Sequence, residues 1–185
     1  LGGVGIQTVG YDNQTISQVN QSNIVNVLCY GTSTGSLSVL NPNTNPNFSY
    51  NWENINVPGV SVGTGAVVNN LPAGIYVLES QYGDSLNFGL PYEGCTNRDT
   101  VEITQIDEIV VNAYVNDVNC FGQNNGSIST TPPNGYIVGG TSPYILQWNP
   151  SGTGVGTTVS LLSQGTYTLS VTDSEGCVKV DTFEV

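Results

Sequence analysis

Apolar and polar residues alternate along much of the chain. Tyr167, Leu169 and Val171 are separated by Thr168 and Ser170, a period of two that sets one face on a core and the other in water. Tyr76-Val77-Leu78-Glu79-Ser80 and Ser36-Leu37-Ser38-Val39 follow the same rule. No stretch carries helical spacing, and 23 Gly with 9 Pro cut the chain into short pieces. Many short strands divided by turns predict an all-β sandwich or barrel.

The pattern also repeats. Cys29-Tyr30-Gly31 and Gly35-Ser36-Leu37-Ser38 return as Cys120-Phe121-Gly122 and Gly126-Ser127-Ile128-Ser129. Phe48-x-Tyr50-x-Trp52 returns as Tyr144-x-Leu146-x-Trp148, and Leu71-Pro-Ala-Gly74-Ile-Tyr76 as Leu162-Ser-Gln-Gly165-Thr-Tyr167. Glu93-Gly94-Cys95 ahead of Asp99 returns as Glu175-Gly176-Cys177 ahead of Asp181. Recurrence in one order divides the chain into a first repeat at 20–106 and a second at 107–185. Residues 1–19 match neither copy and read as a lead-in or the tail of a preceding domain.

The Leu-x-x-Gly-x-Tyr block resembles the corner between strands E and F of immunoglobulin-like sandwiches, where a Tyr hydroxyl bonds back to upstream backbone. Trp52 and Trp148 then fit the core Trp of strand C. The fold expected is two tandem immunoglobulin-like β-sandwich domains, each closed by one disulfide. In antibody domains a Cys follows the corner Tyr by two positions; Leu78 and Leu169 stand there in this chain. Cys29, Cys95, Cys120 and Cys177 permit three pairings. The repeat favours Cys29–Cys95 with Cys120–Cys177, since each copy then closes on itself. A metal site built from the four thiols lacks paired C-x-x-C spacing. Disulfides in turn imply an oxidising compartment.

Composition narrows the chemistry. With 14 acidic residues against Lys179 and Arg98, the net charge is −12, which leaves no footprint for phosphate backbones or anionic lipid. Nucleic acid is therefore not an expected partner, and no apolar run is long enough to insert into a membrane. No His is present, which removes triads with a histidine base and histidine-ligated metals. No Lys stands in the first copy, so isopeptide cross-links are not a general device of this repeat.

Residues 120–177 carry Cys-Phe-Gly-Gln-Asn-Asn-Gly-Ser-Ile-Ser, then Gly139-Gly-Thr-Ser-Pro-Tyr144, Trp148 and Val171-Thr-Asp-Ser-Glu-Gly-Cys177. That order resembles the SprB-type repeat of gliding-motility adhesins. Residues 29–104 match more loosely, with Asn41-Pro-Asn-Thr-Asn-Pro-Asn-Phe48 where the Gly-Gly-Thr motif would stand. The resemblance implies a very large secreted bacterial surface protein, exported through a type 9 system and built of many such modules. The matching positions are cores, turns and cysteines, so it transfers no catalytic or ligand site.

Paired carboxylates can serve glycoside hydrolysis without His, but Glu79, Glu102, Glu184, Asp173 and Glu175 fit solvated strand and turn acids. No catalytic residue is expected, the chain is expected not to be an enzyme, and no cofactor is expected. Calcium is the one candidate ion, at turn acids Asp173, Glu175 or Asp84, without EF-hand spacing. Recognition should lie where the copies differ, since loops on a rigid sandwich carry it. The first copy has an added hairpin with Tyr82, Phe88 and Tyr92; the second inserts Pro132–Val138 with Tyr136. Asp84-Ser85-Leu86 and Asp99-Thr100-Val101 look like O-glycosylation sites at Ser85 and Thr100. The function expected is a structural and adhesive repeat module on the bacterial cell surface. Its expected partners are neighbouring repeats of the same chain, surface glycan or other filament subunits. The alternative is a carbohydrate-binding or spacer module appended to a secreted enzyme.

Overall fold

The computed structural model describes residues 18–42, 48–82, 96–150, 154 and 156–185. Among them the regular structure is strand, apart from one short 3₁₀ turn at Gln21–Asn23. The end of the lead-in forms β1 (Gln18–Val19), and the first copy holds β2 (Gly35–Leu40), β3 (Phe48–Asn54), β4 (Ser61–Thr64), β5 (Val67–Leu71), β6 (Gly74–Tyr82) and β7 (Thr96–Ile103). The second holds β8 (Val110–Asn112), β9 (Tyr114–Asn116), β10 (Gly126–Ser129) and β11 (Tyr136–Val138). It continues with β12 (Ile145–Asn149), β13 (Thr158–Leu162), β14 (Thr166–Thr172) and β15 (Val178–Glu184). The all-β expectation holds.

The copies pair their strands alike. The first, with β1 of the lead-in, forms sheets ordered β1-β2-β5 and β4-β3-β6-β7; the second forms β13-β10-β9 and β12-β14-β15, with a separate β11-β8 pair. The alternation read from sequence sets the faces: Tyr167, Leu169 and Val171 of β14 are buried, and Thr166, Thr168, Ser170 and Thr172 are not. Two compact units emerge. One gathers the described residues up to Ile24, with those of Leu37–Val68 and Ile75–Glu102. The other gathers Val25–Ser36, Asn69–Gly74 and the described residues of Ile103–Val185, so it takes three segments from the first copy, the third being Ile103–Ile106.

In the first unit Leu37, Val39, Tyr50, Trp52, Tyr76 and Leu78 are buried. In the second, Ile128, Val159 and Leu162 from one sheet join Trp148, Tyr167, Leu169 and Val171 from the other in a single core. Each buried Trp solves its polar problem the same way. Trp52 Nε1 donates to the Gly65 carbonyl at 3.0 Å, and Trp148 Nε1 to that of Gly156 at 2.9 Å. A buried indole N–H needs such a partner. The corner Tyr behaves as its motif implies: the Tyr167 hydroxyl donates to the Ser163 carbonyl at 3.0 Å. Tyr76 is fully buried and hydrogen-bonds the Asn54 side chain; desolvation raises its phenol pKa, and the Asn54 bond opposes that.

Candidate functional site

The site lies in the second unit and is assembled by the repeat's own motifs. Asp173 is buried and accepts backbone N–H bonds from Thr141 at 2.9 Å, Glu175 at 2.9 Å and Cys177 at 2.8 Å. Burial alone would push this carboxyl up, but these donors and the Gly176 amide together hold it below its ordinary value. Gly140 donates its N–H to the Asp107 carbonyl at 2.9 Å. Gly139 has φ 75°, and a Cβ there would collide with the Glu108 carbonyl. The Gly-Gly-Thr and Asp-x-x-Gly-Cys motifs therefore meet each other and the 107–109 backbone. Their joint product is a groove between Ile106–Ile109 and Gly176–Lys179. Lys179 Nζ bonds Glu108 at 2.9 Å beside it, a bond that raises the lysine's pKa.

The Cys29-Tyr30-Gly31 turn is docked alongside, with Cys29 and Tyr30 forming part of the groove's wall. Val27 N–H donates to the Thr104 carbonyl at 2.9 Å, and Thr104 N–H to Asn26 Oδ1 at 3.0 Å. Gly31 N–H reaches Gln105 Oε1 at 3.0 Å. The turn is thus laid along the segment that leads into the second copy, and Cys29 is bonded to Cys177 with Cα atoms 5.4 Å apart. This corrects the pairing expected from the repeat. Cys29 does not bond Cys95, nor Cys120 bond Cys177. Cys120 is a free, exposed thiol, and Cys95 lies outside the described residues. The physical reason is the alignment of residues 26–31 with 104–105, which carries Cys29 to the end of the second copy's core.

Of the residues expected to make ligand contacts, Tyr136 is placed. It opens β11, is exposed, and edges an open hollow of about 360 Å³ with Pro132, Ile137, Tyr144 and Leu146. The Tyr144 hydroxyl is spent on the Gly139 carbonyl at 2.6 Å. Tyr82 ends β6, with its side chain outside the described residues, as are Ser85, Phe88 and Tyr92 altogether. Thr100 is exposed on β7, next to Asp99, whose carboxylate accepts the Val19 N–H at 2.8 Å.

Three of the five carboxylates considered for catalysis have structural partners, and Asp173 is buried rather than solvated as expected. Glu79 pairs with Arg98, Glu184 accepts the Thr166 hydroxyl at 2.8 Å, and Asp173 is committed to backbone amides. Among the described residues no cluster of three His, Cys, Asp or Glu suits a metal, and no helix is long and apolar enough to cross a membrane. The groove at Ile106–Ile109 was not visible in the sequence. Its one trace there was the lone Lys179 of the second copy, whose partner Glu108 stands at the junction.

Comparison with known proteins adds one family-model match. The SprB repeat model matches residues 21–57. The match falls in the first copy, across the docked Cys29 turn and the core strands β2 and β3, and agrees with the resemblance read from the motifs. No curated protein matches the chain. Among solved structures it is similar to a C-terminal 282-residue fragment of intimin in complex with the translocated intimin receptor's intimin-binding domain. That likeness has 12% identity and a TM-score of 0.38, covering 86% of this chain and 63% of the other. The full ectodomain (Ig1–Ig3) of mouse nectin-like molecule 4 gives 17% and 0.37, covering 91% and 62%. Three N-terminal domains of the bacteriophage RB49 highly immunogenic outer capsid protein give 14% and 0.36, covering 91% and 57%. The chain thus spans 63%, 62% and 57% of the lengths of these solved chains.

Proposed function

We propose that this chain is a structural and adhesive repeat module of a large secreted surface protein of gliding bacteria, two immunoglobulin-like sandwiches in series that display and bind rather than catalyse. One observation carries the reading: polar atoms on buried side chains are spent on holding the scaffold together. Both Trp side chains cap an equivalent Gly carbonyl, and Asp173 ties down the turn that presents Cys177. The SprB match at 21–57 supports the same reading, since that repeat is one of cell-surface proteins.

Within it, the hollow at Tyr136 is the adhesive surface on the described residues, because an exposed aromatic ring stacks on a sugar face at low entropic cost. Thr100 and Ser85 carry the proposed O-glycans, and the other partners are neighbouring repeats or filament subunits. Reading the gene on both sides of this segment tests the architecture. Many further copies support the module, and a single adjoining hydrolase domain sinks it in favour of a carbohydrate-binding or spacer attachment. Adhesion is tested on immobilised glycans: Tyr136→Ala should lower retention by roughly tenfold, the loss of about 1.4 kcal/mol. Unchanged retention would remove the hollow from the site.

A further inference from the structure

The second copy carries the same turn as the first, but undocked. Gly31 and Gly122 have φ of 72° and 79°. The amides of Thr32 and Gln123 donate to the Cys29 and Cys120 carbonyls at 3.2 and 3.1 Å. Only the surroundings differ. Tyr30 lines the groove beside the disulfide and is 53% exposed, whereas Phe121 is 97% exposed next to the free thiol of Cys120. A single exposed ring is ordinary by itself; what sets Phe121 apart is that it stands in the turn whose first-copy counterpart is docked and bridged. The contacts of the docked turn account for the contrast. Thr104 and Gln105 follow the first copy's last strand, and the corresponding positions of the second copy fall after Val185.

We propose that Cys120 and Phe121 form a docking element for a further copy of this repeat, seating alongside its groove and closing a disulfide with its Gly-Cys cysteine. The occupant is identified by the first turn, which makes this attachment within the chain. Each copy then gives one turn forward and receives one from behind, as Cys177 receives Cys29. In the closing step one S–S bond forms between Cys120 Sγ and the acceptor sulfur, and one breaks in a disulfide-bearing oxidant. The two thiol protons and two electrons end on that oxidant as a pair of thiols. The inference does not depend on glycan binding, and failure of the adhesive reading leaves it standing.

The test extends the full chain at its C-terminus with a second copy of residues 104–185, so that the counterparts of Thr104 and Gln105 follow Val185, and oxidises it with oxidised glutathione. A non-reduced peptide map should show Cys29–Cys177 and a link from Cys120 to the Gly-Cys cysteine of the added copy. Maleimide labelling of native Cys120 should fall by roughly tenfold or more against the unextended chain, since a disulfide has no thiolate to react. A Cys95–Cys120 link, or Cys120 still free in the extended chain, would overturn the proposal. Cys120→Ser in the extended chain provides the second arm. It should expose the added cysteine to maleimide while Cys29–Cys177 persists, and labelling that ignores Cys120 would equally overturn it.

Discussion

Leu161 holds a left-handed backbone, φ 60°, with its side chain exposed. The equivalent residue of the first copy is Asn70, at φ 58°, whose short polar side chain tolerates that region as a branched apolar one does not. Leu161→Asn should therefore stabilise the protein by about 1 kcal/mol. The expected reading is a higher denaturant midpoint at constant slope. Asp173 governs the acid response. Its folded-state pKa lies below the ordinary value, so its contribution is present above the ordinary carboxylate range and lost as pH falls through the folded value. Melting temperature should drop as pH is lowered below about 5, and Asp173→Asn should lower the neutral-pH value and flatten that drop. An unchanged acid limb in the variant would remove Asp173 from this role. Its place in a turn was legible in the sequence. Its work was not, because one of its donors, Thr141, stands far away along the chain.

At the scale of strands, the period-two pattern was enough to place β14, β6 and β2, because one buried face leaves the register little freedom. The corner Tyr and the core Trp were legible for the same reason: each motif couples burial to one polar atom that needs a partner. The β11–β8 pair was not legible, since Pro132–Val138 matches nothing in the first copy and no internal comparison exposes it. The Gly that opens β2 and β10 is explained by crowding. A Cβ on Gly35 would meet the Leu71 carbonyl at 2.9 Å and Ile103; on Gly126 it would meet the Leu162 carbonyl at 3.1 Å and Val185. The strand's first residue is wedged against the two strands that close the core. Gly126→Ala should destabilise by about 1–3 kcal/mol, measured by thermal unfolding, as overpacking does elsewhere.

At the scale of the whole molecule, the duplication was plain but the covalent links were not. Each copy supplies one Cys-x-Gly turn and one Gly-Cys, and that count is the same whether a copy closes on itself or on its neighbour. What decides is backbone placement, the run of residues 26–31 beside 104–105, which no spacing rule encodes. A bridge over a separation of 148 residues contributes about 5 kcal/mol in the chain-entropy model. The same bond sets how far the protein can be drawn out. The chain between Cys29 and Cys177 would extend to roughly 500 Å, and none of that length is released under tension while the sulfurs are joined. Single-molecule stretching should give a short tether when oxidised and gain roughly that contour length with reductant. Equal lengths in the two states would contradict the bridge. A thiol reagent thus acts on this chain as a control of reach, one that no change of sequence in its strands could imitate.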